Sequence, residues 1–260
     1  MGNLETHFPR LYAIVDASFF SSSRELVVFA DQLAAGGCTL IQYRNKSGNA
    51  RVMLEQAREL KRRLSHSHFS QNRGEVGHPT SEESESQSSH LGGWSGGRPR
   101  PPASSERVPR TGASGAPQSV RLIMNDRADL CLAAEFDGVH VGQEDLSPES
   151  VRKIIGPDRW LGVSTHNPEQ LREADLTSAD YLAIGPVFQT SSKEKPDPVV
   201  GLEGVRRARA LTRKPLVAIG GITRANAASV IAAGADSVAV ISDLLRDPRK
   251  SAEEFLRILR

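Results

Sequence analysis

Two acids stand where an oxygen-seeking cation could be held. Asp126 closes the run RLIMND and Asp145 follows HVGQE, and both runs read as short apolar strands ending in polar residues. Carboxylates at neighbouring strand ends can share one hard cation. Mg2+ suits them best, because it keeps several waters and binds one or two carboxylates together with phosphate oxygens. Taken singly, each acid could instead cap the helix that follows it. In LIQYRNK, period-two alternation sets Leu40, Gln42 and Arg44 on one side and Ile41 and Tyr43 on the other. Gln42 offers amide donors and acceptors to a heterocycle, while Arg44 and Lys46 offer the fork and the point charge that suit phosphate oxygens. The combined chemistry is metal-assisted handling of a pyrophosphate.

Further along, WLGVSTH brings Ser164 and His166 to a strand end. The hydroxyl could bind a phosphate oxygen, but two residues spaced by two on a strand need not hydrogen-bond, which argues against a Ser-His nucleophile. His140 lies inside an apolar strand and reads as a hydrogen-bonded wall residue, since a hard ion prefers oxygen. The loop GPVFQTSSKEKPDPVVG carries Thr190, Ser191, Ser192 and Lys193, and loops of this length beside a site are often lids. In AIGGIT and VAVIS, Gly220 and Gly221 allow close approach of an anion. Ile241 and Ser242 would complete a cradle of main-chain N–H groups. Two anion sites are therefore expected, one metal-assisted and one built from backbone.

Positioning these groups requires strands whose ends converge. Strands are expected over 10–16, 39–44, 121–126, 138–142, 160–166, 181–185, 215–221 and 237–242. Helices are expected over 23–36, 49–64, 127–134, 148–155, 167–175, 203–211, 224–233 and 249–260. Gly36, Gly156 and Gly234 sit where helices should stop, and Pro148 and Pro168 where they should start. Such alternation is the pattern of parallel βαβ units. Eight of them close into a single (β/α)8 TIM barrel, an α/β fold whose catalytic groups come from the loops after the strands. An open doubly wound sheet would ordinarily carry G-x-G-x-x-G after its first strand, and here that strand ends in VDAS.

One segment does not share this pattern. From 66 to 119 the chain turns to Ser, Gly, Pro, Glu and Arg, too poor in apolar surface to offset its ordering entropy. It is expected to be a disordered insertion between helix 2 and strand 3 of a barrel otherwise spanning 1–260. Over the whole chain the 33 basic and 31 acidic residues nearly cancel, leaving +2. This excludes an overall field that would hold the chain on nucleic acid or an anionic membrane. The first ten residues lack a signal-peptide core and no run of 18 apolar residues occurs, so a cytoplasmic protein with small-molecule partners is expected. Cys38 and Cys131 read as buried filler.

Read in order, IQYRNK, NDRADL, GVHVGQEDL, GVSTHNPEQL, YLAIGPVFQTSSK, VAIGGIT and ADSVAVIS resemble the thiamine phosphate synthase family. The resemblance covers nearly the whole barrel, and HVGQED with GPVFQTSSK is its specific part. It implies a transferase of thiamine biosynthesis that joins a hydroxymethylpyrimidine diphosphate to a thiazole phosphate, releasing pyrophosphate. It further implies that Gln42, Tyr43, Arg44, Asn45 and Lys46, with Asn125 and Ser164, bind the pyrimidine diphosphate, and that Asp126 and Asp145 hold Mg2+. Thr190, Ser191, Ser192, Gly221, Ile241 and Ser242 would hold the thiazole phosphate, and Lys193 would reach the diphosphate. Gln189 and Ser192 stand where the family often has Pro and Thr. A related barrel, the thiazole tautomerase, does without the metal carboxylates, and His166 would fit it. A non-catalytic barrel that recruits partners through the insertion is a third class. Replacing residues 66–119 by a short linker is expected to preserve thiamine phosphate formation; loss of activity in a still-folded barrel would contradict the passenger role of the segment.

Overall fold

The computed structural model describes residues 8–66, 119–190 and 198–260. Eight strands alternate with eight helices: β1 Leu11–Asp16, α1 Ser23–Ala35, β2 Leu40–Arg44, α2 Ala50–His66, β3 Arg121–Asn125, α3 Ala128–Ala133, β4 Gly138–Val141 and α4 Pro148–Ile155. They continue with β5 Trp160–Thr165, α5 Pro168–Asp175, β6 Tyr181–Ile184, α6 Gly201–Leu211, β7 Leu216–Ile219, α7 Ala227–Ala232, β8 Ser237–Val240 and α8 Pro248–Ile258. Every strand pairs in parallel with its sequence neighbours, and β8 returns to β1, closing the barrel. The expected (β/α)8 barrel is what forms. The insertion expected over 66–119 lies outside the described residues except at its two ends, on the connection from α2 to β3. That connection belongs to the end of the barrel opposite the strand C-termini. No helix among the described residues is long and apolar enough to cross a membrane.

Local sequence explains where helices begin. Ser147 and Asn167 accept from the backbone of Ser150 (3.3 Å) and Gln170 (2.9 Å), with Pro148 and Pro168 next in the chain, where no N–H is needed. Gly36 and Gly156 cap α1 and α4, and Gly234 follows α7 with φ 111°. Several strands end a residue or two before the expected limits. Asp126, His166, Gly185, Gly220 and Ile241 have left the ladder and form the rim of the barrel mouth. Helix α7 begins at Ala227 rather than 224, after a turn over 224–226 in which Thr223 donates to the Asn226 side chain (2.8 Å).

Three aspartates lock register at the opposite end. Asp137, Asp180 and Asp236 each precede an even-numbered strand and accept from the backbone N–H of Leu122 (2.7 Å), Leu161 (2.7 Å) and Leu216 (2.8 Å). The backbone of each aspartate donates back to the same residue's carbonyl. Lys61, Arg152 and Arg209 neutralise them in turn. A hydrogen bond to a charged acceptor contributes about 1.5–3 kcal/mol, so the three together bias the pairing of β3–β4, β5–β6 and β7–β8 against slippage.

Alternation splits the apolar residues into two cores. Outward residues such as Ile41, Met124, Val139 and Leu182 pack beneath the helices with Leu26, Leu33 and Phe255. Cys38 and Cys131 lie in this layer, where burial pushes their thiols up to about 11 and about 12. Inward residues Tyr12, Ile14, Leu40, Ile123, Tyr181 and Val217 fill the barrel. At the strand N-termini Phe8 stacks on Trp160 (centroids 5.2 Å) and the Arg121 guanidinium lies 3.9 Å over the same ring. The interior tolerates no added atom at Gly162, whose Cβ would collide with the Tyr181 ring and His140 Nδ1. Gly162→Ala is therefore expected to cost about 1–3 kcal/mol by overpacking, read as a lower denaturant midpoint at unchanged m-value.

Candidate active site

At the strand C-termini the barrel opens into a cavity of about 740 Å³. The closed ladder determines its contents, because each inward residue at a strand end must face the common axis. Gln42, Arg44 and Lys46 from the end of β2 line one wall, next to Asn125 and Asp126 from β3. Asp145 and Ser164 extend that wall. Thr190, Gly221, Ile241 and Ser242 line the opposite side. Ser191, Ser192 and Lys193 lie outside the described residues. Two of the residues implied by the family resemblance are not brought to the cavity. Tyr43 is fully buried on the outer face of β2 and donates to Gln56 of α2 (2.5 Å). Asn45 donates to the same Gln56 oxygen (3.0 Å) and to the Tyr43 hydroxyl (3.1 Å), and accepts from the Ser47 backbone (2.8 Å). Both side chains brace the β2–α2 turn, as odd register positions must.

The charged groups come in fixed pairs. Arg44 is tied to Asp16, its register partner on β1, and Asp16 is held in turn by the Ser18 backbone (3.0 Å) and hydroxyl (2.8 Å). Lys46 pairs with Asp126. Asp126 adopts a left-handed backbone (φ 60°) and donates its N–H to the His140 carbonyl (2.8 Å), which turns its carboxylate toward β4. Burial raises the Asp126 carboxyl above its ordinary range, Lys46 opposes the shift, and the neighbouring Asp145 charge adds to it. Asp145 folds back so that one oxygen accepts the Gly142 N–H (2.7 Å).

Across the cavity, the β6–α6 loop lies on the turn after β7. Val187 and Phe188 donate to the Ile219 (2.9 Å) and Gly220 (3.0 Å) carbonyls. A Cβ at Gly220 would stand 2.6 Å from Pro186 Cα, and one at Gly221 would stand 2.8 Å from Phe188 Cβ. Both glycines have positive φ (103° and 63°), so only glycine permits this seat, which carries Thr190 to the rim. Arg224 then ties the β7 turn to the segment after β8 through Asp243 and to α8 through Glu254 (2.5 Å).

A family model for thiamine monophosphate synthase matches residues 105–244. A thiamine-phosphate synthase of Koribacter versatilis is 51% identical over 254 residues, covering 96% of each chain. The chain belongs to the thiamine monophosphate synthase family. A second thiamine-phosphate synthase, of Chloroflexus aurantiacus, is 35% identical over 96% of this chain and 92% of its own. Among solved structures, a thiamine phosphate pyrophosphorylase from Pyrococcus furiosus superposes with a TM-score of 0.69 at 28% identity, covering 96% of this chain and 95% of that one. Family membership over the full barrel does not favour the tautomerase or the non-catalytic alternative.

Within this synthase-family barrel, three residues at or behind the cavity wall escaped the sequence reading: Tyr12 lines the cavity, Asp16 holds the lining residue Arg44, and Tyr181 meets Tyr12. Asp16 reads as the last residue of an apolar strand, and Tyr12 and Tyr181 read as core; only the closed ladder turns them inward. His140 is a wall residue, as expected, with Nδ1 3.1 Å from the Tyr181 hydroxyl and Nε2 2.8 Å from Ser164 Oγ. Ser164 thus pairs with His140 and not with His166, whose Nδ1 donates to the Gly185 carbonyl (2.7 Å). Burial lowers the His140 pKa to about 4, which leaves it too weak a base near pH 7 to activate a serine. The shift links to stability. The unfolded chain takes up a proton near pH 6.5 that the folded one refuses until about pH 4, so this contribution is full above 6.5 and lost as pH falls toward 4, about 3 kcal/mol in all. Equilibrium unfolding at pH 7 and pH 4.5 is expected to show a smaller acid-induced loss in His140→Asn than in the parent chain.

Proposed function

We propose that the cavity joins a hydroxymethylpyrimidine diphosphate to a thiazole phosphate, giving thiamine monophosphate and pyrophosphate, and that it does so in the cytoplasm. The observation that carries this reading is the meeting, on one wall, of Gln42, Arg44, Lys46, Asp126 and Asp145, in a chain 51% identical to a thiamine-phosphate synthase across the barrel. The pyrimidine would lie against Gln42 and Ser164, with its diphosphate toward Arg44, Asn125 and Lys46 and within the reach of Lys193. The thiazole phosphate would take the backbone groups of Gly221, Ile241 and Ser242 and the hydroxyls of Thr190, Ser191 and Ser192, a position where barrels commonly bind phosphate.

The acids fit a magnesium ion. Asp126 is disfavoured as a carboxylate by burial and by the charge of Asp145, and a divalent cation held by both would remove that penalty; their donors are oxygens only, the set a hard ion prefers. When bound, the ion supplies charge neutralisation for the departing pyrophosphate. The chain's own residues do the rest. As the pyrimidinylmethyl C–O bond breaks, negative charge develops on the leaving group, where Arg44, Lys46 and Lys193 stabilise it more than they stabilise the ground state. Asp16 keeps the Arg44 guanidinium aimed at the mouth. The thiazole nitrogen forms the new C–N bond to the electron-poor carbon, so no protein nucleophile is needed and positioning is the protein's main contribution. Purified protein given both substrates and magnesium is expected to form thiamine phosphate. Asp145→Ala should lower magnesium-dependent pyrophosphate release by about 10²-fold or more, and unchanged turnover would refute the metal assignment.

A further inference from the structure

A row of buried hydrogen bonds crosses the barrel floor beneath the cavity. Gln42 Nε2 donates to the Tyr12 hydroxyl (2.8 Å), which lies 2.9 Å from the Tyr181 hydroxyl. Tyr181 in turn meets His140 Nδ1 (3.1 Å), and His140 Nε2 meets Ser164 Oγ (2.8 Å). The row therefore begins and ends on cavity-lining residues from β2 and β5. Its middle members are closed off from water, with Tyr12 at 1%, Tyr181 at 0% and His140 at 7% exposure. No other hydrogen bond reaches these three side chains among the described residues. Gly162 leaves the room for Tyr181 and His140 to meet.

The row holds no charged side chain. Each phenol then holds one proton, and the imidazole holds one on either nitrogen. With Gln42 as donor, Tyr12 has already received a proton and must give its own to Tyr181. Tyr181 must give its proton to Nδ1, so the imidazole proton sits on Nε2 and goes to Ser164. The Ser164 hydroxyl proton is left to point into the cavity. Turning the Gln42 amide over demands that every donor reverse, because otherwise one buried contact holds no proton.

We infer that Tyr12, Tyr181 and His140 are positioning residues, a row that, in the proton order starting from the Gln42 N–H, holds one edge of the Gln42 amide toward the bound ring and so selects an amino-substituted over an oxo-substituted pyrimidine. The selection rests on the pyrimidine diphosphate reading above. An amide carbonyl and its remaining N–H match an amino group beside an unprotonated ring nitrogen, as in side-chain amide recognition of adenine. An oxo group beside a ring N–H presents the opposite order and requires the amide reversed. Sites built to match hydrogen-bond polarity reject the mismatched analogue strongly.

The test compares kcat/KM for condensation of the 4-amino and 4-oxo pyrimidine diphosphates in the full chain and in Tyr12→Phe and Tyr181→Phe, each checked for folding by thermal melting. The amino-over-oxo ratio is expected to fall about tenfold or more in both variants, whereas a purely structural role would lower both substrates equally. An unchanged ratio in a folded variant overturns the proposal. Long-range 1H–15N spectra of the unmodified protein supply a second measurement that does not depend on either variant folding. The Nε2–H tautomer of His140 is expected, and an Nδ1–H tautomer in an active enzyme overturns the proton order. Inactivity of the unmodified chain toward both rings overturns the synthase reading, and ring selection with it.

Discussion

Closing eight parallel strands on themselves hands the barrel interior to alternate residues of every strand and leaves those residues no water to bond. A polar side chain placed there must find its partner on another strand, since an unpaired buried donor or acceptor costs about 1–3 kcal/mol. Most inward positions are apolar or lack a side chain. Five of the polar ones, Gln42, Tyr12, Tyr181, His140 and Ser164, satisfy one another in a single row, and Arg44 pairs with Asp16 above it. Glycine at 162 is the counterpart of that row, because two ring systems meet where its side chain would have been.

The same closure concentrates charge at the mouth. Asp16 faces Arg44 and Asp126 faces Lys46 across adjacent strand ends, so the cations lie beside the acids. Such an arrangement suits a diphosphate that arrives with a cation, because it offers carboxylates for the metal and ammonium or guanidinium groups for the oxygens the metal leaves uncovered. The opposite side is built differently. There two positive-φ glycines let one loop lie on another, and main-chain groups take the place of charge. On the function proposed above, the charged wall would take the diphosphate and the backbone wall the second phosphate.

The two ends of the barrel divide the labour between stability and chemistry. At the N-terminal end, three aspartates repeat the same bond to the preceding strand and the aromatic stack of Phe8 and Trp160 closes the floor. The long segment between α2 and β3 joins the chain at this end, away from the mouth. Strand-end residues, by contrast, leave the regular ladder early, and Asp126 and Gly220 take positive-φ conformations there while keeping single backbone bonds to neighbouring segments.

Periodicity and punctuation in the sequence by themselves determined the order of sixteen elements, the helix starts at Pro148 and Pro168, and the short list of acids and bases at strand ends. Those features are local, set by alternation, capping and turn chemistry within a few residues, which is why they are legible in one dimension. Which of the candidates share a cavity was decided by the tertiary structure alone. Tyr43 and Asn45 sit in the same motif as Gln42 and Arg44, yet the pleat sends Tyr43 to the helices and Gln56 draws Asn45 after it. Asp16, Tyr12 and Tyr181 read as the end of a strand and as core because their partners lie 28 to 169 residues away. Only strand closure brings such distant positions to a common axis, and no local signal in the chain records it.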